Sequence, residues 1–126
     1  MTPKTIHSDN APSAIGPYSQ ARSYCNLVFT SGQIALTADG QNHCNDSVEV
    51  QTKIAMENIA VILQEAGTSL DKAIKMTIYL MDMKDFNAVN AVYGSYFKGD
   101  TPARATIAVA ALPKNAKVEI DCIAAL

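Results

Sequence analysis

TPARATIAVAALPKNAKVEI, residues 101–120, is the stretch from which the fold can be read. Gly99, Asp100 and Pro102 mark a turn at its start, and the small and β-branched residues of 105–112 suit a half-buried strand. Pro113 and Asn115 mark a second turn. Residues 118–124 then alternate, with Val118, Ile120, Cys122 and Ala124 on one face and Glu119, Asp121 and Ile123 on the other. Two adjacent strands therefore close the chain. Arg104 stands at the mouth of the first and Glu119 lies on the second. Taken alone, the pair admits two readings. The two side chains converge on a small anion, or Arg104 is an exposed strand-end charge and Glu119 keeps one sheet face soluble, as most surface charges do.

Upstream, the spacing predicts a strand over 74–80, where Ile74, Met76, Ile78 and Leu80 alternate with Lys75, Thr77 and Tyr79. A helix begins at Asp82 and carries the stripe Phe86, Val89, Tyr93, Tyr96 and Phe97. A longer helix starts at Asp46, with Glu49 closing a capping box, and carries Ala55, Ile59, Ile62, Leu63 and Ala66 on one face until Gly67 stops it. Both stripes are assigned to core packing. Residues 19–24 and 27–36 read as two strands around a tight turn at Cys25 and Asn26, preceded by an extended loop over 10–17 that ends beside Tyr18. The order is β-β-α-β-α-β-β, a two-layer α+β domain over 1–126 with both helices on one face of a mixed sheet. The other face includes apolar positions of the Leu27 strand, so it requires cover from further copies of the chain.

Charged residues make up only 17% of the chain, a sparse surface for a small monomer and a second pointer to an oligomer. Ten Lys and Arg stand against twelve Asp and Glu, with no basic cluster or stacking motif, so nucleic acid is not the expected partner. His7 and His43 share no ligand spacing with each other or with Cys25, Cys44 and Cys122, which excludes an obvious metal site and a disulfide framework. There is no G-x-G-x-x-G, no phosphate-binding loop, and Ser31 in Thr-Ser-Gly-Gln is not a nucleophile elbow. The first twelve residues lack an apolar core or Arg-rich amphipathic pattern, and no apolar run approaches membrane-spanning length. The expectation is a cytoplasmic protein with reduced thiols and no membrane association.

Four separated blocks then carry a resemblance. Asn10-Ala11-Pro12 with Ile15-Gly16-Pro17-Tyr18-Ser19-Gln20-Ala21, Thr30-Ser31-Gly32-Gln33-Ile34, Phe86-Asn87-Ala88-Val89-Asn90, and Pro102-Ala103-Arg104-Ala105 with Leu112-Pro113 and Val118-Glu119-Ile120 occur in order along nearly the whole chain. Together they resemble the Rid family, the reactive intermediate/imine deaminases, also called YjgF or L-PSP endoribonucleases. The resemblance implies a chorismate-mutase-like fold and a homotrimer with sites between subunits. It implies hydrolysis of 2-iminobutanoate and 2-iminopropanoate, reactive products of pyridoxal-phosphate enzymes, to 2-oxo acids and ammonia, with no metal or organic cofactor. Matched by position, Arg104 holds the carboxylate and Glu119 stands by the attacking water, while Tyr18, Ser31, Gly32, Asn90 and Thr106 line the pocket. Thr106 departs from the cysteine of several bacterial members, which bears on substrate preference.

The residue types suit that chemistry. An iminium carbon is already electrophilic, so the protein has mainly to hold the acid and place water. A guanidinium binds a carboxylate with two parallel hydrogen bonds and never loses its charge. For Ser31 and Asn90, a local turn bond and a helix-surface amide are equally good readings. Two other functions stay open: an endoribonuclease or translation inhibitor, and a non-catalytic binder of small oxo acids.

Overall fold

A computed structural model describes residues 2–126. Six strands form one sheet: β1 (Lys4–Ile6), β2 (Ala21–Tyr24), β3 (Leu27–Thr30), β4 (Ala73–Leu80), β5 (Ala103–Ala108) and β6 (Val118–Ala125). Two helices, α1 (Val48–Ala66) and α2 (Phe86–Gly94), cover one face. The sheet order is β1-β2-β3-β6-β4-β5, antiparallel throughout except for β4 against β5. That one parallel pair is joined through α2, as a parallel connection requires a crossover. The α+β architecture expected from residues 101–120 is present, with one addition: β1, whose three residues are too few to show an alternation.

The core lies between α1 and the middle of the sheet. Met56, Ile59, Ile62 and Leu63 of α1 meet Met76, Ile78 and Leu80 of β4 and Val118, Ile120 and Cys122 of β6, all buried. Burial, reinforced by Asp121, pushes the Cys122 thiol up to about 12, so it stays protonated. Gln51, fully buried in α1, donates to the carbonyls of Cys44 (3.0 Å) and Asp46 (2.9 Å) and accepts from the Lys117 amide (2.9 Å). This amide pins the start of α1 to the residue before β6.

Element ends differ from the sequence reading for physical reasons. The strand expected over 105–112 stops at Ala108, because β4, its partner among the described residues, ends opposite it at Leu80. Ile74 does not join Met76, Ile78 and Leu80 in the core; a register shift between Ala73 and Lys75 turns it outward. The strand expected over 27–36 stops at Thr30. Between the Phe29–Ile123 pair and the Gln33–Ile120 bridge, three residues on one side face two on the other. One extra residue is thus accommodated at Ser31-Gly32, a bulge that re-aims the chain there. The turn at Cys25 and Asn26 has the expected tight form, with both residues at positive φ (50° and 65°).

α1 is capped by Ser47, not Asp46. The Ser47 hydroxyl accepts from Val50 N, while the Asp46 carboxylate faces His43 Nδ1 at 2.8 Å. Gly67 ends the helix as expected, in the left-handed region at φ 90°. Ser47→Ala is expected to cost about 1 kcal/mol in urea unfolding. A larger loss from Asp46→Ala would return the cap to Asp46.

The uncovered face carries Arg22, Tyr24, Phe29, Thr77, Tyr79, Ile107, Glu119 and Asp121. Phe29 and Ile107 are more than two-fifths exposed, at 42% and 45%. The face is mixed rather than uniformly apolar, for Tyr79 Oη donates to Asp121 Oδ2 at 2.9 Å.

Candidate functional site

The residues singled out from sequence fall into two groups. The first gathers where the N-terminal loop meets the β3 bulge. Gln20, buried at the foot of β2, holds that loop: its Nε2 donates to the carbonyls of Ser8 (3.1 Å) and Pro12 (2.8 Å), and its Oε1 accepts from Ser8 N (2.7 Å). The loop turns back at Gly16, where the Tyr18 amide reaches the Gly16 carbonyl at 2.8 Å. Ile15 N donates to Tyr18 Oη at 3.2 Å, which leaves the ring half exposed over a cleft.

Pro12, Ile15, Tyr18, Gly32, Gln33 and Glu119 line a cavity of about 50 Å³ here. That volume holds a water and a small polar group, far below the several hundred Å³ of a complete small-molecule site. Glu119 is half-buried, and burial, followed by the charge of Asp121, raises its carboxyl above the usual 4.5. Gly32 lies so close that a Cβ would stand 2.2 Å from Glu119 Oε2 and 2.8 Å from the carboxyl carbon. A glycine here leaves room for the carboxyl group. Gly32→Ala is expected to push the Glu119 carboxyl group aside. The side-chain carboxyl resonance of Glu119 in the folded variant checks this; an unchanged resonance would show that the carboxyl group does not depend on the glycine.

Ser31 adjoins this group without entering the cavity. Its hydroxyl donates to the Ser19 carbonyl at 2.5 Å and its amide to the Gln20 carbonyl at 2.9 Å, so it braces the loop that carries Tyr18.

The second group lies on the helix-covered face at the sheet edge. Arg104 pairs with Met76 across β5 and β4, and its guanidinium carbon stands 5.0 Å from the centre of the Tyr93 ring and 5.7 Å from that of Phe86, both on α2. Among the described residues no carboxylate pairs with it. Thr106, two residues on along the same face, has a buried hydroxyl with no partner among the described residues. Asn90, half-buried, follows one turn after Phe86 on α2.

One chain does not bring the two groups together. Arg104 is in register with Met76 and Cys122, whereas Glu119 is in register with Tyr79 and Ile107. The two side chains point to opposite faces and sit two strands across and three residues along from each other, roughly 14 Å in the sheet plane. Within one chain, then, it is burial and the charge of Asp121, not Arg104, that raise the Glu119 carboxyl. Sequence reasoning also passed over Gln20, Phe86 and Tyr93. No spacing marks an amide as a latch, and a helical stripe looks the same whether its rings touch a core or an arginine.

Among the described residues no three His, Cys, Asp or Glu gather as a metal site, and no helix is long and apolar enough to cross a membrane.

A family model described as endoribonuclease L-PSP matches residues 8–126. The 2-iminobutanoate/2-iminopropanoate deaminase of Mus musculus is 42% identical over 121 residues, 96% of this chain and 90% of that protein. The chloroplastic Reactive Intermediate Deaminase A of Arabidopsis thaliana is 45% identical over 123 residues, 98% of this chain and 66% of that one. Among solved structures, a Rid-family protein of unknown function from Yersinia pestis superposes with a TM-score of 0.95 at 43% identity, covering 99% of this chain and 100% of that one. TdcF of E. coli, solved with bound serine, gives 0.92 at 38% identity, with 98% of both chains covered.

Proposed function

The chain belongs to the endoribonuclease L-PSP family, the Rid family, and from that membership we propose that it is an imine deaminase acting on small 2-imino acids. The observation that carries the reading is the setting of two groups: a guanidinium with no carboxylate partner among the described residues, and a half-buried glutamate whose carboxyl is raised above its ordinary value by burial. The first suits the acid end of the substrate, the second the proton movements at the other end. Two relatives at 40% and 42% identity named 2-iminobutanoate/2-iminopropanoate deaminase support the substrate class.

The proposed reaction runs as follows. Arg104 takes the carboxylate with two parallel hydrogen bonds. Water adds to the electrophilic carbon, its proton passing to Glu119, and gives a carbinolamine. Glu119 returns that proton to the carbinolamine nitrogen and takes the hydroxyl proton as the C–N bond breaks, so one iminium and one water leave as one 2-oxo acid, one ammonia and one proton. Tyr18 closes the cavity against bulk solvent, and Gly32 leaves space for the carboxylate of Glu119. Ser31 acts through the loop it braces, and Asn90 and Thr106 belong to the Arg104 side of the pocket.

Because the two groups lie on opposite faces of one sheet, the proposed site takes Arg104 from one copy and Glu119 from the next. A closed ring of three copies, a homotrimer, satisfies this by repeating one heterologous contact, and it covers Phe29 and Ile107 on the open face. Ammonia release from enamines generated in situ by a serine or threonine dehydratase tests the activity. Light scattering on the same sample tests the assembly, and a fully active monomer of 13.5 kDa would refute the shared site. The family's ribonuclease label gives the rival outcome: RNA cleavage by highly purified protein, abolished by Arg104→Ala, in place of imine hydrolysis.

A further inference from the structure

An arginine that is to grip a carboxylate has first to be held still. Its side chain has four rotatable bonds, and in water the guanidinium samples many directions; each direction other than the productive one weakens binding. Arg104 has no salt bridge among the described residues to fix it. What it has instead is a bed of two aromatic rings. Phe86, the first residue of α2, and Tyr93, two turns later on the same face, bring their ring centres to 5.7 Å and 5.0 Å of the guanidinium carbon. Both distances fall within the range of about 6 Å in which a ring face attracts a guanidinium.

The bed is itself fixed. Tyr93 is only 5% exposed and packs on Phe97, ring centres 4.9 Å apart and planes at 49°. Its hydroxyl is buried without a partner among the described residues, so the ring and not the phenol oxygen is what this position offers Arg104. The geometry has a chemical consequence. All five guanidinium N–H groups lie in the guanidinium plane, so rings against its face leave the donors free, whereas a carboxylate partner would occupy them. An aromatic bed orients the group without using up its hydrogen bonds.

We propose that Phe86 and Tyr93 are positioning residues of the candidate reaction, holding the Arg104 guanidinium so that its in-plane N–H groups meet the incoming carboxylate. The proposal rests on Arg104 as the carboxylate anchor, and the experiment separates the two claims. 2-Oxobutanoate, a stable acid with the same carboxylate, is titrated calorimetrically into the full-length protein and its variants. Tyr93→Leu is expected to weaken binding roughly tenfold and Phe86→Leu by less, while Tyr93→Phe, which keeps the ring, recovers affinity to within about twofold. In parallel, the Arg104 Nε–H resonance, assigned by its loss in Arg104→Lys, is expected to carry a ring-current shift that Tyr93→Leu removes and Tyr93→Phe retains. A folded Tyr93→Leu protein that binds like wild type, beside an Arg104→Ala protein that does not bind, overturns the proposal and leaves the anchor intact. Undiminished binding by Arg104→Ala overturns both. If Tyr93→Leu fails to fold, Phe86→Leu decides on the same two readouts, since Phe86 is only half-buried.

Discussion

Arg104→Ala is expected to lower imine hydrolysis about a hundredfold or more, equivalent to about 3 kcal/mol or more of transition-state stabilisation. The size follows from the surroundings. Among the described residues the guanidinium has no ion pair to be released, so apart from its contacts with the Tyr93 and Phe86 rings its loss falls on the substrate. Arg104→Lys is expected to recover little, because a point charge cannot present two parallel donors and makes a poorer face for the Tyr93 and Phe86 rings. Stability should change little, since the residue lies half-buried on an edge strand. Steady-state ammonia release and sedimentation on the same samples check both parts. Near-wild-type turnover by an intact Arg104→Ala assembly would sink the mechanism.

Glu119→Gln is expected to have an effect of similar size, about a hundredfold or more, because the amide can neither take nor return the proton. Its stability effect has the opposite sign. Burial raises the Glu119 carboxyl above 4.5, so the folded chain holds this proton more tightly than the unfolded chain does. The contribution to stability is then full below the unfolded value and is lost as pH rises through the folded one. At neutral pH the ionised carboxylate is a burden that glutamine lacks, and Glu119→Gln should melt no lower than wild type. The acid limb of the wild-type rate profile should fall above the usual carboxylate range. A limb displaced below that range would mean that a neighbouring arginine, not burial, governs Glu119.

The fold was legible because its period was legible. Residues 118–124 alternate as a strand on a covered sheet must, and β6 shows that alternation in its burial from Val118 to Ala124. Strand ends were less legible because they depend on neighbours: Ala108 ends β5 only because Leu80 ends β4. The bulge at Ser31-Gly32 was invisible, since an added residue in a ladder appears only when both strands are in view. For the site, motif blocks named Tyr18, Gly32, Arg104 and Glu119, but proximity is not written in motifs. Which face each residue occupies comes from the register of β4 with β5 and β6, and that register separates Arg104 from Glu119.

That separation has a genetic consequence. In the proposed trimer, a chain defective at Arg104 still lends a sound Glu119 to its neighbour, and a chain defective at Glu119 still lends a sound Arg104. Two alleles that are each silent alone would complement one another. Around a ring of three, every mixed assembly contains one junction at which both donors are intact. Co-expressed in equal amounts and assembled at random, the two defective chains would restore about a quarter of the sites.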